Sequence, residues 1–283
     1  MASGRISSVR NSIVISIFST SSGNGKTITA INLAAGLAKE GYAVCLMDLD
    51  LQFGDIVTYL KLDPDVTISD AQRRAELDPE NFNVREYLTD YTHEDLTFSV
   101  MAPPKAVYDA YRIDVSFVED LISRLNWFDF VILDMNAMFS ALNLAMLDMS
   151  TIINYIGIID FLPSVKNFKI GYDTLIRFEY EESKIRLVEN RSNSQKLIKG
   201  DDVERLVGEK FFHKLPNDFP AVNKSISSGL PLMFAVPDSP LTKSFGELAR
   251  SYTNRQSDVI SPIQDVEESD HGLVSRFFSM FFH

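Results

Sequence analysis

Apolar residues fall along this chain in short unbroken runs separated by longer amphipathic stretches. Ser12–Phe18 (SIVISIF), Ala43–Met47 (AVCLM), Phe128–Leu133 (FDFVIL) and Thr151–Ile159 (TIINYIGII) are apolar on both faces and rich in β-branched residues. That is the pattern of strands buried inside a parallel sheet. Thr97–Met101, Lys184–Glu189 and Phe211–Leu215 read as further strands, the last an edge strand ahead of Pro216. Between them the period lengthens. Ile28–Lys39 is rich in Ala and Leu, Leu162–Phe178 carries Pro163 in its first turn, and Asp114–Leu125 places Phe117, Val118, Leu121, Ile122 and Leu125 on one helical face. Helical character also marks Ile68–Ala75, Val84–Tyr91, Asp201–Val207, Ala221–Ser227 and Ser239–Tyr252. Strand, helix, strand in this order predicts βαβ units with right-handed crossovers. The expected fold is three-layer α/β/α with a mostly parallel central sheet.

The pattern also divides the chain. Residues 1–11 are a polar lead-in, and residues 12–252 form the folded domain. Residues 253–271 read as a flexible acidic linker carrying Asp258, Asp265, Glu267, Glu268 and Asp270. The last stretch, residues 272–283 (GLVSRFFSMFFH), is different. Leu273, Phe277 and Phe281 recur at helical spacing, as do Val274, Phe278 and Phe282, and together they make one apolar face of an amphipathic helix. Such a helix is about 18 Å long, too short to span a bilayer of about 30 Å. It suits a membrane interface, a dock on the protein's own body or a partner's groove.

Composition narrows the options. The 283 residues carry a formal net charge of −12, which disfavours broad nucleic-acid binding, because that affinity comes from cations neutralising phosphates. The single cysteine, Cys45, sits inside an apolar run and points to a buried thiol in a reducing compartment. The polar start predicts no secretory leader, and no apolar run reaches membrane-spanning length. The expected location is the cytoplasm, with peripheral attachment to the inner face of the membrane through the tail. His93, His213, His271 and His283 lack metal-ligand spacing.

The candidate chemistry lies at Thr20–Thr27 (TSSGNGKT), between a predicted strand and a predicted helix. This is a phosphate-binding loop of pattern GxxxxGK[ST], with Thr20 standing at the first glycine. Free backbone N–H groups and the positive end of the helix would face an anion. Ser22, Gly23, Asn24, Gly25, Lys26, Thr27 and Ile28 are the expected nucleotide contacts, and the fold becomes a P-loop NTPase. Three carboxylates fall at predicted strand ends: Asp48, Asp50 and Asp134. Ligands bind at the carboxyl ends of strands in such sheets. Thr27, Asp50 and Asp134 are therefore candidate Mg²⁺ ligands, directly or through water. Lys26 is the candidate catalytic cation, with Asp48 or Asp50 orienting the attacking water.

With these residues in view, the chain resembles the MinD/ParA family of deviant-Walker ATPases, and within it the CpaE/TadZ branch of pilus-assembly and localisation ATPases. The resemblance covers roughly residues 12–252. It rests on the phosphate loop, on DLDLQFGD (48–55), on LVENR (187–191), and on KLPND (214–218) followed by AVNKSISSGLP (221–231). It implies ATP and Mg²⁺ as ligands, Asn190 on the adenine edge, Pro216 as a nucleotide contact, an ATP-dependent homodimer, and a membrane or a polar or pilus-machinery protein as partner. Two departures stand out. Ser21 occupies the place of the family's cross-dimer lysine, and Met135-Asn136-Ala137 follows Asp134 where a Pro-containing segment is usual. They imply slow hydrolysis, or a hydrolysis-deficient scaffold that keeps the fold as an interaction surface.

Overall fold

The computed structural model describes residues 12–193 and 198–253. The strands are β1 (Ile13–Phe18), β2 (Val44–Leu49), β3 (Thr89–His93), β4 (Leu96–Met101), β5 (Phe130–Met135), β6 (Ile152–Ile158), β7 (Ile185–Asn190) and β8 (His213–Leu215). They form one sheet in the order β3-β4-β2-β5-β1-β6-β7-β8, parallel throughout except for the β3–β4 hairpin. The helices are α1 (Lys26–Lys39), α2 (Ile56–Tyr59), α3 (Ile68–Leu77), α4 (Val107–Ala110), α5 (Val115–Ser123), α6 (Ala141–Met149), α7 (Leu162–Arg177), α8 (Gly200–Val207), α9 (Phe219–Ser228), α10 (Leu232–Ala235) and α11 (Pro240–Thr253).

Alternation along the strands builds a core on each face. Val14 and Phe18 of β1 join one cluster with residues of α3, α5, α6, α7 and α8. Ile15 and Ile17 join the opposite cluster with α1, α9, α10 and α11. The expected three-layer α/β/α P-loop architecture is what forms. On the second face α1 and α11 approach so closely that a Cβ added to Gly36 would lie 2.8 Å from that of Ala249.

Two differences from the sequence expectation have clear causes. Val84–Tyr91 is not a helix. It makes one 3-10 turn at Val84–Tyr87 and then enters β3, an antiparallel edge strand whose polar residues alternate with buried Tyr91. Strand β2 runs two residues beyond Met47, so Asp48 belongs to the strand itself. Helices α2, α4, α6 and α10 have no counterpart in the sequence expectation. The lead-in, most of the linker and the amphipathic stretch 272–283 lie outside the described residues. Among the described residues no helix is long and apolar enough to cross a membrane.

Candidate functional site

The phosphate loop leaves β1 after Phe18 and enters α1 at Lys26. Its turn needs glycine twice, since Gly23 (φ 74°) and Gly25 (φ 83°) are left-handed. At Gly25 a side chain would also collide with the amide of Asn190. Asn190, at the end of β7, donates from Nδ2 to the Asn24 carbonyl at 2.9 Å, tying the far strand to the loop. The Asn24 side chain turns inward and donates to Ser19 Oγ at 2.6 Å.

Thr20, where the motif has glycine, is put to use. Its hydroxyl donates to the Asn167 carbonyl of α7 at 2.9 Å and lies 2.8 Å from the Tyr155 hydroxyl of β6. Helix α7 comes close enough for this because residue 171 is glycine; any Cβ there would strike Thr20 and Tyr155.

The three strand-end carboxylates separate into different environments. Asp48 and Asp134 are register partners on adjacent strands, and each is 1% exposed. Asp48 accepts backbone N–H groups from Asp50 (3.2 Å) and Ile56 (3.1 Å), which folds the loop after β2 over it. Gly54 packs directly on that carboxylate. Burial, followed by the charge of Asp134, pushes the Asp48 carboxyl well above the usual range. Neither oxygen of Asp134 has a hydrogen-bond partner in ordinary geometry. Burial pushes its pKa up to about 7, against the pull of the nearby Thr27 hydroxyl and Lys26 ammonium. A buried carboxylate with no hydrogen bond in ordinary geometry, beside a lysine and a threonine, is a donor set that would suit a divalent cation such as Mg²⁺.

A cavity of about 680 Å³ opens over the loop, within the usual size for a small-molecule site. Of the residues expected from sequence, Ser22, Gly23, Gly25, Lys26, Thr27, Ile28, Asp50, Asn190 and Pro216 line it. Asn24, Asp48 and Asp134 sit behind its wall, so only Asp50 of the β2 pair faces the cavity. The structure adds Phe53, Tyr59, Asn136–Met138, Arg191 and Phe219. Phe53 lies within DLDLQFGD and Phe219 directly follows KLPND, so their neighbourhood was visible in sequence while their exposure was not. Asn143 of α6 holds the loop after β5, donating to the carbonyls of Asn136 (3.2 Å) and Met138 (2.6 Å) and to Asn136 Oδ1 (2.9 Å). At the far end, the loops after β7 and β8 are sewn together by Ser192 N–H to the Leu215 carbonyl (2.9 Å) and by Asn217 N–H to Asn193 Oδ1.

Comparisons with known proteins agree with this geometry. Residues 15–232 match the CobQ/CobB/MinD/ParA nucleotide binding domain. A curated protein of Pyrococcus horikoshii, described as an iron-sulfur cluster carrier protein, is 23% identical over 267 residues, 87% of each chain. Among solved structures, a ParA family ATPase from Chlorobium tepidum superposes with a TM-score of 0.76 at 21% identity, covering 85% of this chain and 98% of that one. The septum site-determining protein MinD of Pyrococcus horikoshii, solved with Mg-ADP, gives 0.71 at 19% identity, covering 89% and 100%.

Proposed function

The chain belongs to the CobQ/CobB/MinD/ParA nucleotide-binding domain family, and from that premise we propose that it is an ATP-dependent dimerising switch with weak hydrolysis. The observation that carries this reading is the convergence of Lys26, Thr27 and Asp50 on one cavity, with Asp134 buried and unpaired just behind. Backbone N–H groups of the loop and Lys26 would hold the phosphates. Thr27, Asp50 and Asp134 would hold Mg²⁺, which when bound neutralises charge on the phosphates. Asp50, which lines the cavity, would orient the attacking water. Asp48 shapes the loop that carries Asp50.

Slow turnover is expected from Ser21, which leaves the loop without a second cation. The Asn143 bonds favour the scaffold as the second reading, because they restrain the loop after Asp134. The name of the archaeal relative does not carry over. Iron-sulfur clusters are held by cysteine thiolates, and this sequence has one cysteine, buried in β2.

The role we assign is to position or help assemble a cell-surface machine of the type IV (Tad-like) pilus kind, as in the CpaE/TadZ branch. DLDLQFGD, LVENR and KLPND support the family, and the branch rests on the overall resemblance of these segments to it. The apolar face of residues 272–283 supports peripheral attachment to the inner face of the cytoplasmic membrane. Two weak tails on a dimer would multiply their affinity. The test is light scattering and liposome co-sedimentation of the full chain, with and without Mg-ATP, beside a version ending at residue 270. Mg-ATP should give a dimer that pellets, and the shortened dimer should stay in solution. A chain that stays monomeric with Mg-ATP refutes the switch, and equal pelleting of both forms refutes the membrane anchor.

A further inference from the structure

The geometry points to Phe219 as the platform on which the base of a bound nucleotide stacks. This rests on the nucleotide reading above and adds the residue that grips the base. Phe219 opens α9 and lines the cavity together with Asn190, Arg191 and Pro216, yet the residue is 59% exposed. An aromatic face left open inside a ligand cavity is available to a flat, apolar partner.

The mount of this ring is fixed. Asp218 caps α9, its Oδ1 accepting the Ala221 N–H at 3.1 Å, while its Oδ2 accepts the Ser239 hydroxyl at 2.6 Å. Pro220 follows within the first turn and restricts the backbone there. The neighbouring Asn217 N–H is bonded across to Asn193. The backbone on both sides of Phe219 is thus held, and only the side-chain torsions of the ring remain to be ordered on binding. Stacking of a base on an aromatic side chain contributes about 1–3 kcal/mol and tolerates any base, since every base has a π-face. Asn190, which lines the same cavity, spends one amide hydrogen on the Asn24 carbonyl and accepts the Arg191 N–H at Oδ1, which leaves its second amide hydrogen and a second oxygen lone pair for a base edge. Affinity would therefore come from the ring, and base identity from the amide. The competing possibility is a lone surface phenylalanine that touches no ligand, which is common enough on proteins.

The experiment is calorimetric titration of the full chain and its Phe219→Ala variant with Mg-ADP and with Mg-tripolyphosphate, a probe that lacks a base. Phe219→Ala should weaken Mg-ADP about 10- to 100-fold and leave Mg-tripolyphosphate within about twofold. Phe219→Trp should restore Mg-ADP binding, and its added indole fluorescence should be quenched by Mg-ADP but not by Mg-tripolyphosphate. Unchanged Mg-ADP affinity in Phe219→Ala overturns the proposal, as does equal weakening of both probes. If the unmodified chain binds Mg-tripolyphosphate but not Mg-ADP, the base platform fails alone. If it binds neither, the nucleotide reading fails and the platform with it.

Discussion

The hydroxyl of Thr20 lies 2.8 Å from the hydroxyl of Tyr155, and this pair fastens the phosphate loop to β6 and, through the Asn167 carbonyl, to α7. Glycine at the first position of such a loop supplies backbone freedom. Here a side chain anchors the backbone, and the glycine has moved to the helix that receives it.

Gly171→Ala should be destabilising even though alanine normally favours a helix by about 1 kcal/mol over glycine. The added methyl strikes Thr20 and Tyr155, and overpacking of this kind costs about 1–3 kcal/mol. Thr20→Val, which removes the hydroxyl bonds, should cost about 1–2 kcal/mol, and Thr20→Ser should stay near the original. Urea unfolding measures all three. A Gly171→Ala protein more stable than the parent would show that helix and loop are not in contact.

Asp134→Asn should raise the stability of the nucleotide-free protein and weaken Mg-nucleotide binding. The folded carboxyl titrates at about 7 against 3.8 for the ordinary group. The folded state therefore holds this proton more tightly than the unfolded chain. Stability from this group is lost as pH rises from about 4 to 7. Asp48 is shifted in the same direction. Melting temperatures at pH 5.5 and pH 8 should differ more for the parent than for Asp134→Asn. Identical pH slopes would mean that Asp134 is not buried as a charge.

Asn143→Ala should release the loop after β5. It removes donors to Asn136 and Met138, each worth about 1 kcal/mol. Amide exchange at residues 136–139 should accelerate at least tenfold while β5 keeps its protection. No change in exchange would remove Asn143 as the restraint on this loop.

Ser21→Lys should raise ATP hydrolysis by about 100-fold, the usual worth of one group stabilising transition-state charge. Phosphate release under Mg-ATP reads this directly. If turnover stays at the parent's rate, the missing cation is not what limits it, and the scaffold reading gains.

Much of the fold was legible because buried parallel strands are apolar on both faces, and β1, β2, β5 and β6 announce themselves in this way. Strand β3 was not, since an edge strand needs only one buried residue in two, and Tyr91 next to Val84 and Leu88 mimics a helical stripe. In the site, local motifs were readable: the loop, Asp50, Asn190 and Pro216. The D-L-D spacing did not reveal that Asp48 would be occupied by the backbone of Asp50 and Ile56, which depends on how the following loop folds back. The role of Thr20 was equally hidden, because it is written in Gly171 and Tyr155, distant in sequence and joined only by the sheet.

The close mesh of Gly36 with Ala249 has a mechanical consequence. Helix α1 begins at the phosphate loop, and α11 runs to Thr253. Protein interiors are packed as densely as crystals and do not absorb small displacements locally. Two helices in contact through a glycine and an alanine have no slack side chains between them. A displacement of α1 would therefore have to carry α11 with it, and a bulkier residue at position 36 would wedge the two helices apart.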